Sequence, residues 1–385
     1  MSQPPVTVRK VGDAADLETL IRFPWEVYRG DSCWVPPLLS QRRRAFDRQR
    51  NPIYDYVDAD FFVAWRGARP VGTIAAAINH RHNEFHRERI GFFGHFEALD
   101  DPEAARALLD TAAVWVREHG MAAVRGPLNL TVNDDGAGCL VEGFDAPPVL
   151  LMGHNPRYYA GFIEAAGFHK VMDLYGWYGN VPTIMASEGF VKLSRVAEKQ
   201  AKRRDITIRR GDVRRLEHEI RLLQEVYQAS WAENWGYVPP TKREIDHLVS
   251  DLRRFYDDRL GFFAEKNGET IGFILILPNF NQVLLPAYPR PGVPEPITLL
   301  KALWHWKIRP KINSIRVLLL GVREEYRGQG VDALLMSNAF HAAVDAGYFW
   351  GEASWILENN EPMNRILDAL GFHIWKTYRV YERAL

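Results

Sequence analysis

An internal repeat with an offset of about 200 residues constrains the fold most strongly. Glu26-Val27-Tyr28 recurs as Glu225-Val226-Tyr227, and Gly167-Phe168-His169 recurs near the C-terminus as Gly371-Phe372-His373. Further matches fall between these pairs in the same order. The 385-residue chain is therefore predicted to be one fold used twice.

Each copy predicts the same order of elements. A short strand and an amphipathic helix come first, then a hairpin, a central strand and a helix, and a β–α–β passage closes the copy. The expected strand positions are Val6–Lys10 and Ile206–Arg210 for the opening strands, 61–79 and 261–279 for the hairpins, and 91–97 and 315–322 for the central strands. This order is typical of an α+β fold, so we expect two tandem domains, each a mixed central sheet flanked by helices.

The repeat predicts domains at 1–190 and 206–385, joined by a basic linker at 191–205. From Lys192 to Arg215 there are ten basic residues against three acidic ones. Two interpretations of this stretch stay open: a solvated linker face, or attraction of an anionic cofactor tail or a membrane surface.

Composition excludes several classes of protein. Forty-eight Lys and Arg balance forty-eight Asp and Glu, so no net field favours nucleic acid as a partner. Two cysteines, Cys33 and Cys139, are too few for a disulfide framework and suit a reducing cytosol. Ile271–Leu277 is the longest clean apolar run and is too short to span a bilayer. We expect a cytoplasmic protein with no integral membrane segment, although peripheral membrane contact stays open and the oligomeric state is unknown.

Two groups of side chains receive structural interpretations. The loop histidines His80, His82 and His86 are expected to be solvated, so no metal site is predicted. Four tryptophans are expected to lie in the core or line a pocket, with a tunnel for a long chain as the alternative. They are Trp231, Trp235, Trp304 and Trp306.

The motif with the clearest chemistry follows the central strand of the second copy. There Arg327-Gly328-Gln329-Gly330 leads directly into a predicted helix. A helix start exposes backbone N–H groups at the positive end of the helix dipole, which favours an anion. Glycine lets a diphosphate approach the backbone closely, and Arg327 adds a positive charge.

At this point the sequence resembles the GNAT superfamily of N-acetyltransferases, whose pyrophosphate loop reads Arg/Gln-x-x-Gly-x-Gly/Ala. Arg327–Gly330 fit the first four positions, while Asp332 stands where the family has Gly or Ala. Asn360, eleven residues before Gly371, matches a later family helix. The whole chain is similar to a bacterial tandem subgroup that includes proposed ceramide-forming N-acyltransferases.

The resemblance implies transfer of an acyl group from acetyl-CoA or a longer acyl-CoA to an amine, without a metal. The acceptor is expected to be a small polar amine or a long-chain lipid amine. A backbone N–H of Leu320 or Val322 is implied to hold the thioester carbonyl in a gap between two strands. The other implied cofactor-binding residues are Arg327, Gly328, Gln329, Gly330, Val331, Asp332, Ala333 and Asn360.

The proton-transfer residues are less determined. Glu352, on the strand after the cofactor helix, is the expected base, with an ordinary salt-bridged carboxylate as the alternative. The family's frequent thiolate-protonating Tyr falls at position 367, where this chain has Leu367. Tyr378 and Tyr381 on the last strand are therefore candidate acids. Asp332 and Leu367 also keep open a non-catalytic binding or regulatory protein that retains the fold.

The first copy lacks the glycine loop. Its junction carries Glu97, Asp100 and Asp101, which would repel a diphosphate, so this copy is predicted to be a scaffold or substrate wall. A polar loop after its next strand has two interpretations, Asx turns that structure a long connection or side chains that bind the acceptor amine. The predicted acceptor-binding residues are Asn129, Asn133 and Asp135.

Overall fold

A computed structural model describes residues 4–131, 136–231, 234–246, 257–309 and 312–385. The described strands are β1 (Val6–Lys10), β2 (Val57–Arg66), β3 (Arg69–Asn79), β4 (Ile90–Ala98), β5 (Ala123–Gly126), β6 (Cys139–Glu142), β7 (His169–Asn180), β8 (Ile206–Arg210), β9 (Gly261–Lys266), β10 (Glu269–Pro278), β11 (Ser314–Val322), β12 (Trp350–Leu357) and β13 (His373–Ala384). The described α-helices are α1 (Ala14–Arg22), α2 (Pro24–Val27), α3 (Leu39–Ala45), α4 (His80–His86), α5 (Pro102–Glu118), α6 (Tyr159–Ala165), α7 (Val181–Ala186), α8 (Glu188–Arg203), α9 (Leu216–Trp231), α10 (Asn281–Ala287), α11 (Glu295–Leu303), α12 (Val331–Asp345) and α13 (Glu361–Ala369). Short 3₁₀ turns cover Pro52–Asp55, Val213–Arg215 and Glu324–Tyr326, and a π-helical turn covers Trp304–Ile308.

The predicted α+β fold is confirmed, and the predicted strands form within a few residues of their expected bounds. The Asn267-Gly268 turn of the second hairpin has both residues at positive φ, 52° and 80°. That geometry matches the right-handed twist of the flanking strands β9 and β10.

The chain forms two compact units. The first comprises residues 1–174, 281–310 and 376–385, and the second comprises 175–280 and 311–375. This division differs from the predicted domains in two respects: residues 281–310 of the second copy belong to the first unit, and the last strand of each copy changes unit partway along its length. It also places the predicted linker at 191–205 inside the second unit.

The sheet of the first unit runs β1-β2-β3-β4-β5 and is completed by the end of β13. Neighbouring strands are antiparallel except β4 and β5, which are parallel. Helix α5 covers one face, because Leu108, Ala112 and Val116 recur at helical spacing and are fully buried. The residues of β13 that belong here pair with β5, with Tyr381 opposite Gly126.

The sheet of the second unit runs β8-β9-β10-β11-β12, followed by the end of β7. Its apolar core lies against α12, where Leu335, Ala339 and Phe340 are buried. Helix α8 packs on the same core through Ala197 and Ala201 while its opposite face stays polar. The predicted linker is therefore a structural helix of this unit. Among the described residues, no helix is long and apolar enough to cross a membrane.

Candidate active site

Two parallel strands of the second unit separate partway along their length. β11 and β12 pair only from Ser314 opposite Trp350 to Val317 opposite Ala353. β11 continues to Val322 and β12 to Leu357, so both strands extend beyond their last paired residues. The separation opens a gap at the carboxyl ends of these strands, a common place for a ligand in an open sheet.

The part of β11 that does not pair with β12 contains an irregularity in its pairing with β10. Leu319 lies opposite Leu275 of β10, but Val317 lies opposite Ile276, so Leu318 is an extra residue in β11. Such bulges redirect the backbone and are frequent beside active sites. Leu320 and Val322, the predicted carbonyl-binding residues, lie in this part of β11, where they pair with β10 but not with β12, and both are half-buried.

A glycine loop connects β11 to α12. Gly328 and Gly330 have φ of 68° and 82°, a region that side-chain-bearing residues rarely adopt, and Gly330 directly precedes the first residue of α12. Five consecutive backbone N–H groups, from Gly328 to Asp332, donate no hydrogen bond within the described part of the chain. The loop thus presents unsatisfied donors at the positive end of a 15-residue helix.

Basic side chains lie beside this loop. Arg327 donates a hydrogen bond to the Ser230 carbonyl at 2.7 Å, and Arg204 donates to Gln329 Oε1 at 2.7 Å. A Cβ added at Gly330 would lie 3.5 Å from Ala197 Cα, so α8 passes close to the loop. The opposite face of α8 has a surface hollow lined by Arg195, Glu198, Lys199, Lys202 and Arg203.

Two predicted cofactor-binding residues accept backbone hydrogen bonds at the start of a helix. Asp332 Oδ1 accepts a hydrogen bond from the Ala333 N–H at 2.9 Å, which makes this carboxylate a local acceptor in the first turn of α12. Asn360 caps α13 by accepting from Met363 N–H at 3.3 Å. Val331 and Ala333 are buried in the core, so only their backbones are available to a ligand. Cofactor binding by these residues stays a prediction.

Glu352 belongs to a polar row on one face of the sheet. Since Ile315 and Ala353 face the apolar core, strand alternation places Arg316 and Glu352 on the opposite face, where they are register partners. Glu352 is fully buried and accepts a hydrogen bond from Trp375 Nε1 at 2.6 Å. A Cβ at Gly176 would approach its carboxylate within 3.2 to 3.4 Å, so glycine leaves room for this side chain.

Sequence reasoning missed the partners of Glu352. Arg316 is 2% exposed and donates to Ser354 Oγ and to the Ser354 carbonyl at 3.2 and 3.1 Å. A buried cation beside a buried carboxylate is costly unless both are hydrogen-bonded, and such clusters are frequent at functional sites. The available signal was Arg316 itself, which interrupts an otherwise apolar strand.

The two predicted tyrosines belong to the first unit. Tyr378 and Tyr381 are buried in the first unit, whereas Glu352 and the glycine loop belong to the second. Tyr378 donates to the Gly153 carbonyl at 3.1 Å, and Tyr381 donates to Glu164 Oε1 at 3.0 Å. The structure does not bring them together with Glu352 in one unit, and their roles as acids stay predictions. Leu367 is buried in the apolar core of the second unit.

The first unit has an equivalent gap that its own chain fills. β4 and β5 pair only as far as Phe92 opposite Arg125. Beyond that point Leu128 N–H donates to the Phe93 carbonyl, and His95 N–H donates to Asn129 Oδ1, both at 2.8 Å. Asn129 therefore has a structural role in this gap, while acceptor binding by it stays a prediction. Asn133 and Asp135 lie outside the described residues.

The acids of the first junction are also engaged. Asp101 caps α5 through Ala104 N–H and pairs with Arg66 at 2.8 Å. Glu97 is half-buried at the end of β4 and accepts from Tyr159 Oη at 2.9 Å. Burial raises the pKa of Glu97 from its ordinary 4.5 to about 7. No glycine loop is present at this junction, because α5 begins directly with Pro102.

Two structural interpretations need correction. His82 is buried rather than solvated and hydrogen-bonds Glu88 at 3.0 Å, and burial lowers its pKa to about 4. Trp304 lies outside any core, with half of its surface exposed. Among the described residues, no group of three or more His, Cys, Asp or Glu is placed to hold a metal ion.

Comparison with known proteins agrees with this geometry. Residues 221–372, which include the gap and the loop, match the acetyltransferase (GNAT) family. A bacterial ceramide synthase from Caulobacter vibrioides is 33% identical over 99% of this chain and 98% of its own length. The chain belongs to the GNAT acetyltransferase family. Protein YghO of Escherichia coli, another relative, is 33% identical over 98% of this chain and 95% of its own length.

Solved structures of GNAT proteins share the tandem fold. A tandem GNAT protein from the clavulanic acid biosynthesis pathway matches with a TM-score of 0.52 and 14% identity, over 98% of both chains. A GNAT protein from Sphaerobacter thermophilus matches with a TM-score of 0.52 and 13% identity, over 100% of this chain and 97% of that one. The chain is thus a tandem GNAT protein, and acyl-CoA is the family's co-substrate.

Proposed function

We propose that the second unit binds an acyl-CoA and transfers its acyl group to the amino group of a long-chain lipid amine. The loop at 327–333 carries the proposal. Its two glycines at positive φ and five unsatisfied backbone N–H groups fit the oxygens of a diphosphate.

Charge near the loop supports the same assignment. Arg327 and Arg204 place two guanidinium groups beside the loop, which suits the phosphates of coenzyme A. Asp332 would oppose this attraction, but its carboxylate already accepts the Ala333 N–H.

The gap between β11 and β12 supports a position for the thioester arm. The arm would lie along the residues of β11 that follow Val317 and do not pair with β12, with the carbonyl oxygen on the backbone N–H of Leu320 or Val322. A fixed donor there stabilises the negative charge that develops on the oxygen when the amine attacks. The half-buried Leu320 and Val322 side chains pack against the apolar core of this unit, which fixes the position of their backbone.

The chemistry requires one proton acceptor. The amine nitrogen forms a bond to the thioester carbon, the carbon–sulfur bond breaks, and the departing thiolate of coenzyme A takes up the proton that the amine has released. We assign Glu352 as the group that accepts the proton from the amine. It lies one residue before Ala353, where the pairing with β11 ends, and Trp375 and Gly176 position its carboxylate.

The acceptor class rests on the relatives. The GNAT family as a whole implies a small polar amine as the acceptor. A relative named bacterial ceramide synthase, however, aligns over nearly the whole chain. A ceramide is a long-chain amino alcohol acylated on nitrogen. A long-chain amine of this type is therefore the acceptor that the similarity favours.

Release of free thiol tests the proposal. The full chain would be assayed with acetyl-CoA and with acyl-CoA of 8 to about 18 carbons, each with a small polar amine or a sphingoid-type amine. We expect turnover with the long-chain amine, and a loss of at least tenfold in kcat/KM for Arg327→Ala. Arg29→Ala, an exposed arginine of the first unit, serves as the matched control and should retain full activity.

Two results would count against the proposal. Turnover with small amines alone would remove the lipid acceptor but leave the acyltransfer. Binding of coenzyme A without turnover of any acyl-CoA and amine pair would favour the non-catalytic binding protein that the buried Leu367 allows.

A further inference from the structure

The largest group of exposed apolar side chains lies on one segment of the first unit. It consists of α11 and the π-helical turn that follows, residues 295–309, called here the apolar segment. Among the described residues, fourteen large apolar side chains are exposed, and six of them fall in this segment. They are Ile297, Leu299, Leu300, Leu303, Trp304 and Ile308. Leu300 and Ile308 are 67% and 60% exposed.

The exposed residues share one side of the helix. At about 100° per residue, Ile297, Trp304 and Leu300 fall on a continuous arc with Leu299 and Leu303. Thr298, which is 2% exposed, lies on the opposite side and anchors the helix. The segment is therefore amphipathic with its apolar side outward, the reverse of a helix that packs on its own core.

The charges of the segment are almost all positive. Lys301, Lys307 and Arg309 are exposed, and Lys307 Nζ lies 3.7 Å from the ring centroid of Trp306. Glu295 is the one acid between 295 and 309, and it accepts hydrogen bonds from Ser40 N–H and Oγ at 3.0 and 2.5 Å. An apolar face with tryptophan and flanking lysines matches the chemistry of an anionic lipid–water interface.

We propose that the apolar segment binds the surface of an anionic phospholipid bilayer, with Leu300, Leu303 and Trp304 inserted among the lipid chains and Lys301 and Lys307 at the headgroups. Helices of this kind lie in the interface and do not span the bilayer, which agrees with the length of α11. This inference goes beyond the proposed function and would place the first unit at the source of a lipid substrate.

Vesicle co-sedimentation tests the proposal on the full chain. Vesicles of phosphatidylcholine containing about a third phosphatidylglycerol are compared with pure phosphatidylcholine. We expect binding to the anionic vesicles, at least a tenfold weaker partition for Leu300→Glu/Leu303→Glu, and a smaller loss for Lys301→Glu/Lys307→Glu. Val114→Glu, an exposed apolar residue of α5, is the matched control and should bind as the wild type does.

Three results would overturn the proposal. The first is equal vesicle binding by the wild type and Leu300→Glu/Leu303→Glu. The second is loss of binding in Lys199→Glu/Lys202→Glu alone, which would assign the membrane contact to α8. The third is a wild-type dimer in light scattering that Leu300→Glu/Leu303→Glu converts to a monomer, without vesicle binding by either, because a second copy would then cover the segment. Cooperative thermal unfolding, followed by circular dichroism, reports whether each variant is folded.

Discussion

The two units differ most at the same place in their sheets, the gap beyond the paired part of two parallel strands. In the first unit, Leu128 and Asn129 fill the gap with hydrogen bonds to β4, and Asp101 and Arg66 close the following helix start. In the second unit, β11 and β12 separate after Val317, and a glycine loop leaves its N–H groups unsatisfied. The backbone groups beside the first gap thus have partners within the unit, whereas the N–H groups of the glycine loop have none among the described residues.

The register extends the comparison to individual residues. Gly72 lies opposite Ala98 in the first unit, and Gly272 lies opposite Val322 in the second, so β4 and β11 correspond position by position. Glu352 then corresponds to Arg125, which pairs with Glu382 at 2.7 Å. A repeat can therefore keep its fold while the polar groups beside the gap change from a stabilising ion pair to a candidate catalytic carboxylate.

Removing the carboxylate should have the largest effect. Glu352→Gln is expected to lower kcat by roughly 10²- to 10⁴-fold, because a general base contributes about that much, while coenzyme A affinity stays within a factor of about two. Steady-state kinetics and titration calorimetry measure the two quantities. Arg125→Gln, at the corresponding position of the first unit, should reduce stability but retain kcat. Nearly wild-type turnover in Glu352→Gln would assign the proton transfer to another group.

The second-largest effect is expected in the pH dependence of stability, which tests the buried carboxylate of Glu97 in the first unit. Burial raises the pKa of Glu97 from 4.5 to about 7, so the folded chain holds a proton that the unfolded chain has released. Stability from this group is present at low pH and is lost as the pH rises through 7. Relative to Glu97→Gln, the wild type should lose about 2 kcal/mol of unfolding free energy between pH 5 and pH 8, reduced from the full shift because the side chain is half-buried. The free energy of unfolding is measured in urea at each pH. The same change with pH in both proteins would contradict this prediction.

Backbone strain gives the third test. Gly330 and Gly120 both have φ of 82°, but Gly120 follows α5 in the first unit and has open space around it. Valine at either position should cost about 1 to 2 kcal/mol of stability. Only Gly330→Val is expected to raise the dissociation constant for coenzyme A, by about tenfold or more, in calorimetry. An equal loss of affinity in Gly120→Val would show that the effect arises from stability alone.

The smallest effect is expected at Asn129, which occupies the gap between β4 and β5. Asn129→Ala removes the acceptor of the His95 N–H and should cost about 1 kcal/mol of unfolding free energy, measured in urea. Coenzyme A affinity should not change, because the second unit holds the loop. If Asn129→Ala instead raises KM for the amine with unchanged stability, this residue binds the acceptor as the sequence suggested.

Much of the fold was predictable because it depends on local pattern. Alternating apolar residues, the Asn267-Gly268 turn and the apolar spacing of Leu108, Ala112 and Val116 identify strands and helices without tertiary information. The glycine loop was predictable from local pattern as well. The partners of Glu352 were not predictable in this way, because Arg316 and Trp375 are 36 and 23 residues away in sequence and reach Glu352 only across the sheet.

The sequence by itself determined that one fold occurs twice and that a loop suited to a diphosphate occurs only in the second copy. Both properties depend on residue types at fixed spacing, and the repeat preserves that spacing. Only the tertiary fold fixes the unit to which the end of each last strand belongs, because β7 and β13 both follow a Gly-Phe pair and begin with His, and their pairing partners come from distant parts of the sequence. It also decided that Asn129 closes the first gap, since the hydrogen bond to His95 forms only once β4 and β5 have separated.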